Sequence, residues 1–244
     1  MQLVIDGGNT FVKWGIFLSG ELVASGFWHP EKESIPETIE KRKFEAVLVS
    51  KVGRYPTVSQ LNALRNTALE CLFLNHQLRL PFDNRYQSPE TLGKDRIALV
   101  AGLTTFAHGS PCLAIDAGTC LTFDLLDEKL SYLGGSISPG LQMRMNAMHE
   151  QTAKLPHYTI EGTAKMPLIG QNTEACMKIG GFYGLVHEIN GFIKDYQMQY
   201  PDLQIYVTGG NARLLHQYLA GQPKLDNHLA LSGLYQILKL NVSN

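Results

Sequence analysis

Leu3-Val4-Ile5-Asp6-Gly7-Gly8-Asn9-Thr10, continued by Phe11, Val12 and Lys13, returns in altered form as Leu113-Ala114-Ile115-Asp116-Ala117-Gly118-Thr119. Each copy is an apolar strand that stops at Asp, a Gly-bearing turn with Thr close behind, and then a second β-rich segment. Taken singly, the first copy reads equally well in two ways. It is a β-hairpin turn, because Gly-Gly and Gly-Asn are common hairpin signals, or an anion-binding turn, because glycine lets backbone N–H groups close on a phosphate. The recurrence decides for the second reading. Two halves of similar length, each opening on Ile-Asp-x-Gly, imply an internal duplication. The expected fold is α/β, with two tandem domains, 1–111 and 112–244, and two turns facing each other across nucleotide phosphates in an interdomain cleft.

Outward from the first copy, the pattern predicts strands over 3–5, 11–17 and 22–27, a β-meander with the polar turn at its first corner. A short helix over 36–42, a buried strand over 46–50, a helix over 58–68 and a strand over 71–74 follow. That alternation implies a mixed sheet with a parallel part. Ser88-Pro89-Glu90 reads as a helix start with Pro in the first helical position. Gly93-Lys94-Asp95-Arg96 opens a helix whose apolar face is Ile97, Val100, Ala101, Thr104 and Ala107. Asp95 in its first turn is either a partner of the helix dipole, worth roughly 0.3–1 kcal/mol, or a reactive carboxylate.

Beyond the second copy, a third strand recurs at 129–133, before Gly134-Gly135. A helix from 139 or 140 to 150, a loop over 151–171 and a long helix over 173–199 come next. The long helix carries a core stripe of Ala175, Ile179, Phe182, Val186, Ile189 and Ile193. Gly180, Gly181 and Gly184 cost it about 1 kcal/mol each relative to Ala, and suggest close packing on the other half or on another subunit. A strand over 203–208 ends in Gly209-Gly210-Asn211-Ala212 and a helix to 219. This junction is either a tight turn or a place where backbone N–H groups meet the nucleoside side of a nucleotide. An apolar helix over 229–240 closes the chain.

Bulk properties exclude several classes. With 44% hydrophobic and 18% charged residues over 244 positions, the composition is that of a globular protein. A net charge of −1 provides no electrostatic face for nucleic acid or membrane. Cys71, Cys112, Cys120 and Cys176 form no Cys-x-x-Cys pair, which fits reduced thiols in the cytoplasm. No signal-peptide pattern and no bilayer-length apolar run is expected. The P-loop, Gly-x-Gly-x-x-Gly and Gly-x-Ser-x-Gly patterns are absent. His149-Glu150 and His187-Glu188 lack the second His that a zinc protease needs.

Asp-x-Gly-Asn-Thr-x-x-Lys, Gly-x-Asp-Arg and Asp-x-Gly-Thr occur in that order, and with them the chain resembles the type III pantothenate kinases along essentially its whole length. These belong to the acetate and sugar kinase/Hsc70/actin superfamily, with two ribonuclease-H-like, actin-like ATPase domains. The resemblance implies ATP contacts from Asp6, Gly7, Gly8, Asn9, Thr10, Phe11, Val12, Lys13 and Thr119. It implies a pantothenate loop of Gly93, Lys94, Asp95 and Arg96, with Asp95 as proton acceptor and Arg96 on the substrate carboxylate. Tyr86 matches a further substrate contact, as does Thr173, the latter from the neighbouring subunit of a homodimer. Asp6 matches the Mg²⁺ site, reached through water, and Asp116 a monovalent-cation site for K⁺ or NH₄⁺.

The implied activity is phosphorylation of pantothenate to 4′-phosphopantothenate, the first step of coenzyme A synthesis. The chemistry suits these residue types. Phosphoryl transfer to an alcohol is mainly positioning and charge stabilisation, and Mg²⁺ favours one carboxylate plus several waters. A guanidinium binds a carboxylate as a fork. Two other readings stay open at this point: a kinase of another small hydroxy acid or sugar, and a non-catalytic nucleotide-binding regulator. Retention of Asp6, Asp95 and Asp116 together speaks against the regulator.

Overall fold

The computed structural model describes residues 1–8, 11–29, 31, 34–51, 56–160, 162 and 167–242. In chain order the elements are β1 (Gln2–Gly7), β2 (Val12–Leu18), β3 (Glu21–Trp28), α1 (Glu37–Glu40), β4 (Phe44–Lys51), α2 (Val58–Asn66), β5 (Ala68–Phe73), β6 (Asp83–Asn84) and α3 (Lys94–Leu103). Then come β7 (Cys112–Ala117), β8 (Cys120–Leu126), β9 (Ser131–Pro139), α4 (Leu141–Glu150), α5 (Thr173–Gln199), β10 (Gln204–Thr208), α6 (Ala212–His216), β11 (Lys224–Leu225) and α7 (Leu229–Asn241). They form two compact units. One takes in Met1–His108, Leu126–Gly134 and His228–Asn244, the other Gly109–Leu125 and Gly135–Asn227. Packing thus gathers segments from both sequence halves into the first unit.

In the first unit the sheet order is β3-β2-β1-β4-β5. β1 is antiparallel to β2 and parallel to β4, and β4 is parallel to β5, so the sheet is mixed. Alternation sorts each strand onto two faces. Leu3, Ile5, Val12, Trp14, Val47 and Val49 join Ile39 of α1 and Leu64 of α2 in one core. The opposite face carries α7. Leu231 lies against Gly15 and Tyr235 stacks on Phe17 at 4.1 Å. α3 packs on α7 at backbone range, because a Cβ at Gly102 or Gly233 would strike the other helix's carbonyls. Buried between such neighbours, α3 is enclosed from Arg96 to Leu103 instead of on the single expected face.

The second sheet runs β6-β9-β8-β7-β10-β11, and its strands from β9 to β11 repeat the order of the first sheet. β10 is parallel to both β7 and β11, as β4 is to β1 and β5. The duplication expected from Ile-Asp-x-Gly is therefore present in the topology. α5 lays Phe182, Leu185, Val186, Ile189 and Ile193 on Leu113, Ile115, Phe123, Ile205 and Val207. Its start at Thr173 is set by Asn172, whose side chain accepts from Ala175 N at 2.8 Å.

Several boundaries differ from expectation. Asp6 and Gly7 belong to β1 and not to the turn, because β1 is central and its ladder bonds on both sides hold them extended. α2 stops at Asn66 and β5 starts at Ala68, earlier than 71, since Phe44 N reaches Thr67 O and opens the β4–β5 ladder there. Pro89–Thr91 is a 3₁₀ turn that Ser88 does not cap. β9 runs on through Gly134 and Gly135 to Pro139; a Cβ at Gly135 would strike the Phe123 carbonyl, so the glycine lets the strands close. α6 ends at His216, short of 219. Gly181 packs on Met145 of α4, whereas Gly180 and Gly184 have open space beside them in this chain.

Candidate active site

β1 brings Asp6 to the end of its strand in register with Lys13 on β2 and Ser50 on β4, so all three share the α7-bearing face. Asp6 is 9% exposed, and its Oδ1 has no hydrogen-bond partner among the described residues. Burial pushes its carboxyl up to about 6; Lys13 pulls the other way, and Asp95 adds to the rise. An orphaned buried carboxylate oxygen next to a lysine fits a cation, or a water of a cation's shell, better than it fits a structural role. The turn that follows is closed by Gly8 N, which donates to Phe11 O at 3.2 Å. Asn9 and Thr10, both expected phosphate contacts, lie outside the described residues. Phe11 is exposed, with its ring edge-on to Phe27 and His29. Val12 turns its side chain into the core, which leaves only its backbone for a ligand.

α3 supplies the second cluster of this unit. Asp95 sits half-buried in the first turn and accepts from Arg96 N at 3.0 Å. Gly93 caps the helix with no side chain because a Cβ there would collide with the Asp95 carboxylate. Arg96 is 4% exposed, and its guanidinium lies 5.6 Å from the centre of the Tyr86 ring. Tyr86 in turn stacks on Tyr132 at 5.9 Å and 16°. The chain clears Tyr86 at Gly134, whose φ of +104° suits glycine and whose Cβ would stand 3.8 Å from the ring. Tyr132, fully buried behind Tyr86, was not expected; in sequence it is one more apolar residue of a strand. Asp6, Lys13, Asp95, Arg96 and Tyr86 thus all belong to one unit, with Lys13 and Asp95 both acting electrostatically on Asp6.

The second unit repeats the first arrangement. Asp116 ends β7 in register with Thr208 on β10, as Asp6 is with Ser50. Gly209 follows at φ +96°, and a Cβ there would strike Asp116 Oδ1 and the Ala117 backbone. A Cβ at Gly118 would stand 3.1 Å from the same oxygen. Thr119 is exposed in the turn, and its carbonyl accepts from Gly140 N at 3.2 Å, which seats the start of α4 on the turn. Asn211 N donates to Ala117 O at 3.0 Å, so the 209–212 junction belongs to the same patch. Thr173 is exposed at the first turn of α5. Among the described residues no group of three or more His, Cys, Asp or Glu forms a metal cluster.

Comparison with known proteins agrees with this geometry. The family described as type III pantothenate kinase matches residues 2–195. A type III pantothenate kinase of Christiangramia forsetii is 40% identical over 244 residues, covering 99% of each chain. One from Cytophaga hutchinsonii is 36% identical, covering 99% of this chain and 100% of the relative. Among solved structures, a Baf-family protein from Campylobacter jejuni has a TM-score of 0.63 at 22% identity, covering 98% of both chains. A ROK-family glucokinase from Streptomyces griseus, solved with glucose and AMPPNP, has a TM-score of 0.50 at 13% identity with 98% coverage of both. These two likenesses concern the fold alone. The chain belongs to the type III pantothenate kinase family.

Proposed function

We propose that this protein transfers the γ-phosphoryl group of ATP to the primary hydroxyl of pantothenate, giving 4′-phosphopantothenate and ADP. The observation that carries the reading is the Asp95-Arg96 pair on α3: a carboxylate that acts on Asp6 electrostatically, next to a buried guanidinium laid over Tyr86. Arg96 recognises a carboxylate by its fork. Asp95 accepts the hydroxyl proton, or orients it, as the alcohol oxygen bonds to the γ-phosphorus and the bond to the β-phosphate oxygen breaks. Lys13 balances phosphate charge. Asp6 would hold Mg²⁺ through water, and the ion would supply charge neutralisation for the phosphates.

The same reading gives Thr119 and the backbone around 7–13 and 209–211 to the nucleotide, and Asp116 to K⁺ or NH₄⁺. The sequence halves 1–111 and 112–244 are the two copies of the duplicated domain. We read the protein as a cytoplasmic homodimer in which Thr173 of each copy serves the other's substrate. The open flank of α5 at Gly180 and Gly184 supports this, because small residues let helices approach closely. The four cysteines are free, in keeping with a reducing compartment. No helix among the described residues is long and apolar enough to cross a membrane.

The test is ADP formation across a panel of hydroxy acids, sugars and pantothenate, each with Mg²⁺ or the monovalent cation left out in turn. Turnover is expected with pantothenate only when ATP, Mg²⁺ and K⁺ or NH₄⁺ are all present. Preference for a sugar lacking a carboxylate would remove the role given to Arg96, and no turnover at all would leave a regulator.

A further inference from the structure

The row Lys13, Asp6, Ser50 has one member that the proposed chemistry does not use. Ser50 is fully buried, yet among the described residues its Oγ has no hydrogen-bond partner, and neither does the Oδ1 of Asp6 beside it. A buried hydroxyl left unbonded costs about 1–3 kcal/mol, so such a group in a native site calls for a ligand. β1 and β4 are in parallel register at these two residues. Neighbouring strands lie about 4.8 Å apart, which puts both oxygens within reach of one water although they are not bonded to each other. One carboxylate and one neutral hydroxyl are too few donors to hold a bare divalent cation. The second copy of the duplicated fold makes the same choice: Thr208, 4% exposed, stands beside Asp116 in the equivalent position on β10.

We propose that Ser50 is a positioning residue of the phosphoryl-transfer site, its hydroxyl and the Asp6 carboxylate together holding one water that becomes part of the Mg²⁺ shell. The water pocket rests on the two orphaned oxygens, and the metal half rests on the kinase reading above. Ser50 then aims Asp6 by a hydrogen bond relayed through that water, and outer hydrogen bonds of this kind typically matter about tenfold or more in metal affinity.

The test is thermal unfolding of the parent, Ser50→Ala and Ser50→Thr, without ligand and with ATP over a Mg²⁺ series. In the unliganded protein, Ser50→Ala is expected to melt close to the parental temperature, because the Ser50 hydroxyl bonds no protein group among the described residues. The Mg²⁺ concentration that gives half of the ATP-dependent rise in melting temperature is expected to increase about tenfold. Ser50→Thr, which copies the residue of the second half, restores the hydroxyl and should return that midpoint close to the parent's. An unliganded Ser50→Ala that melts lower while its Mg²⁺ midpoint stays parental would make Ser50 a structural residue and overturn the proposal. A parent whose melting temperature does not respond to Mg²⁺ and ATP would overturn the kinase reading and the metal half with it.

Discussion

Replacing Asp6 by Asn should stabilise the unliganded protein at neutral pH. Burial raises the Asp6 carboxyl from 3.8 to about 6 against the pull of Lys13. A group whose pKa rises on folding holds its proton more tightly in the folded state. Stability is therefore lost as pH climbs from the unfolded value through the folded one, and it stays lost above. At roughly 1.4 kcal/mol per pH unit, the interval amounts to about 3 kcal/mol. Asn keeps the shape and never ionises. The difference in unfolding free energy, Asp6→Asn minus parent, should be near zero at about pH 4 and grow through about pH 6 to a plateau of about 3 kcal/mol. For a chain of this size the plateau corresponds to roughly 6–12 °C in melting temperature. Urea denaturation of both proteins across this range measures it, and the subtraction cancels the other carboxylates. Mg²⁺ with ATP should narrow the gap, because a cation at Asp6 favours the charged form. A flat difference, or an Asn variant less stable at neutral pH, would refute the claim that Asp6 is buried at a cost for the sake of a ligand.

Three further outcomes follow from the site. Asp95→Asn should fold and bind ATP while kcat drops about 10²–10⁴-fold; near-parental kcat would end its role as proton acceptor. Arg96→Lys should raise KM for pantothenate about tenfold and leave kcat within a few-fold, since Lys cannot make the two-toothed contact or cover the Tyr86 ring; an unchanged KM would place the carboxylate elsewhere. Gly209→Ala should cost about 1–3 kcal/mol, because alanine is strained at φ +96° and its Cβ collides with Asp116 Oδ1. That variant should also lose stimulation by K⁺, and parental melting together with parental K⁺ dependence would separate Gly209 from the cation.

The part of the proposed site that could be read from sequence is local. Asp6 to Lys13 and Gly93 to Arg96 are contiguous runs, and each run carries its own reason: room for an anion, or a carboxylate next to a guanidinium in one helical turn. Pairings across strands were not legible. Ser50 is 44 positions from Asp6 in sequence, and only the parallel register of β1 and β4 makes them neighbours. A signal was nonetheless present, since the strands ending at Ser50 and at Thr208 occupy the same slot in the two copies. Tyr132 had no such signal; an aromatic in a strand looks like core until Tyr86 is found stacked on it. The glycines of α5 were expected to pack on the other half or on another subunit; Gly181 instead meets Met145 of α4 in its own half, and Gly180 and Gly184 have nothing within 4 Å among the described residues.

By itself, the amino-acid order determined the mixed α/β class, the duplication and the reaction type, because strand alternation, turn glycines and a few reactive side chains act over short stretches of chain. Where each carboxylate sits relative to solvent and to its cross-strand neighbours was decided by tertiary structure alone. Burial raises Asp6 only once the β2, β1 and β4 strands have come together around it. Desolvation is a property of the packed neighbourhood, and it cannot be assigned to a residue until the chain has folded around it.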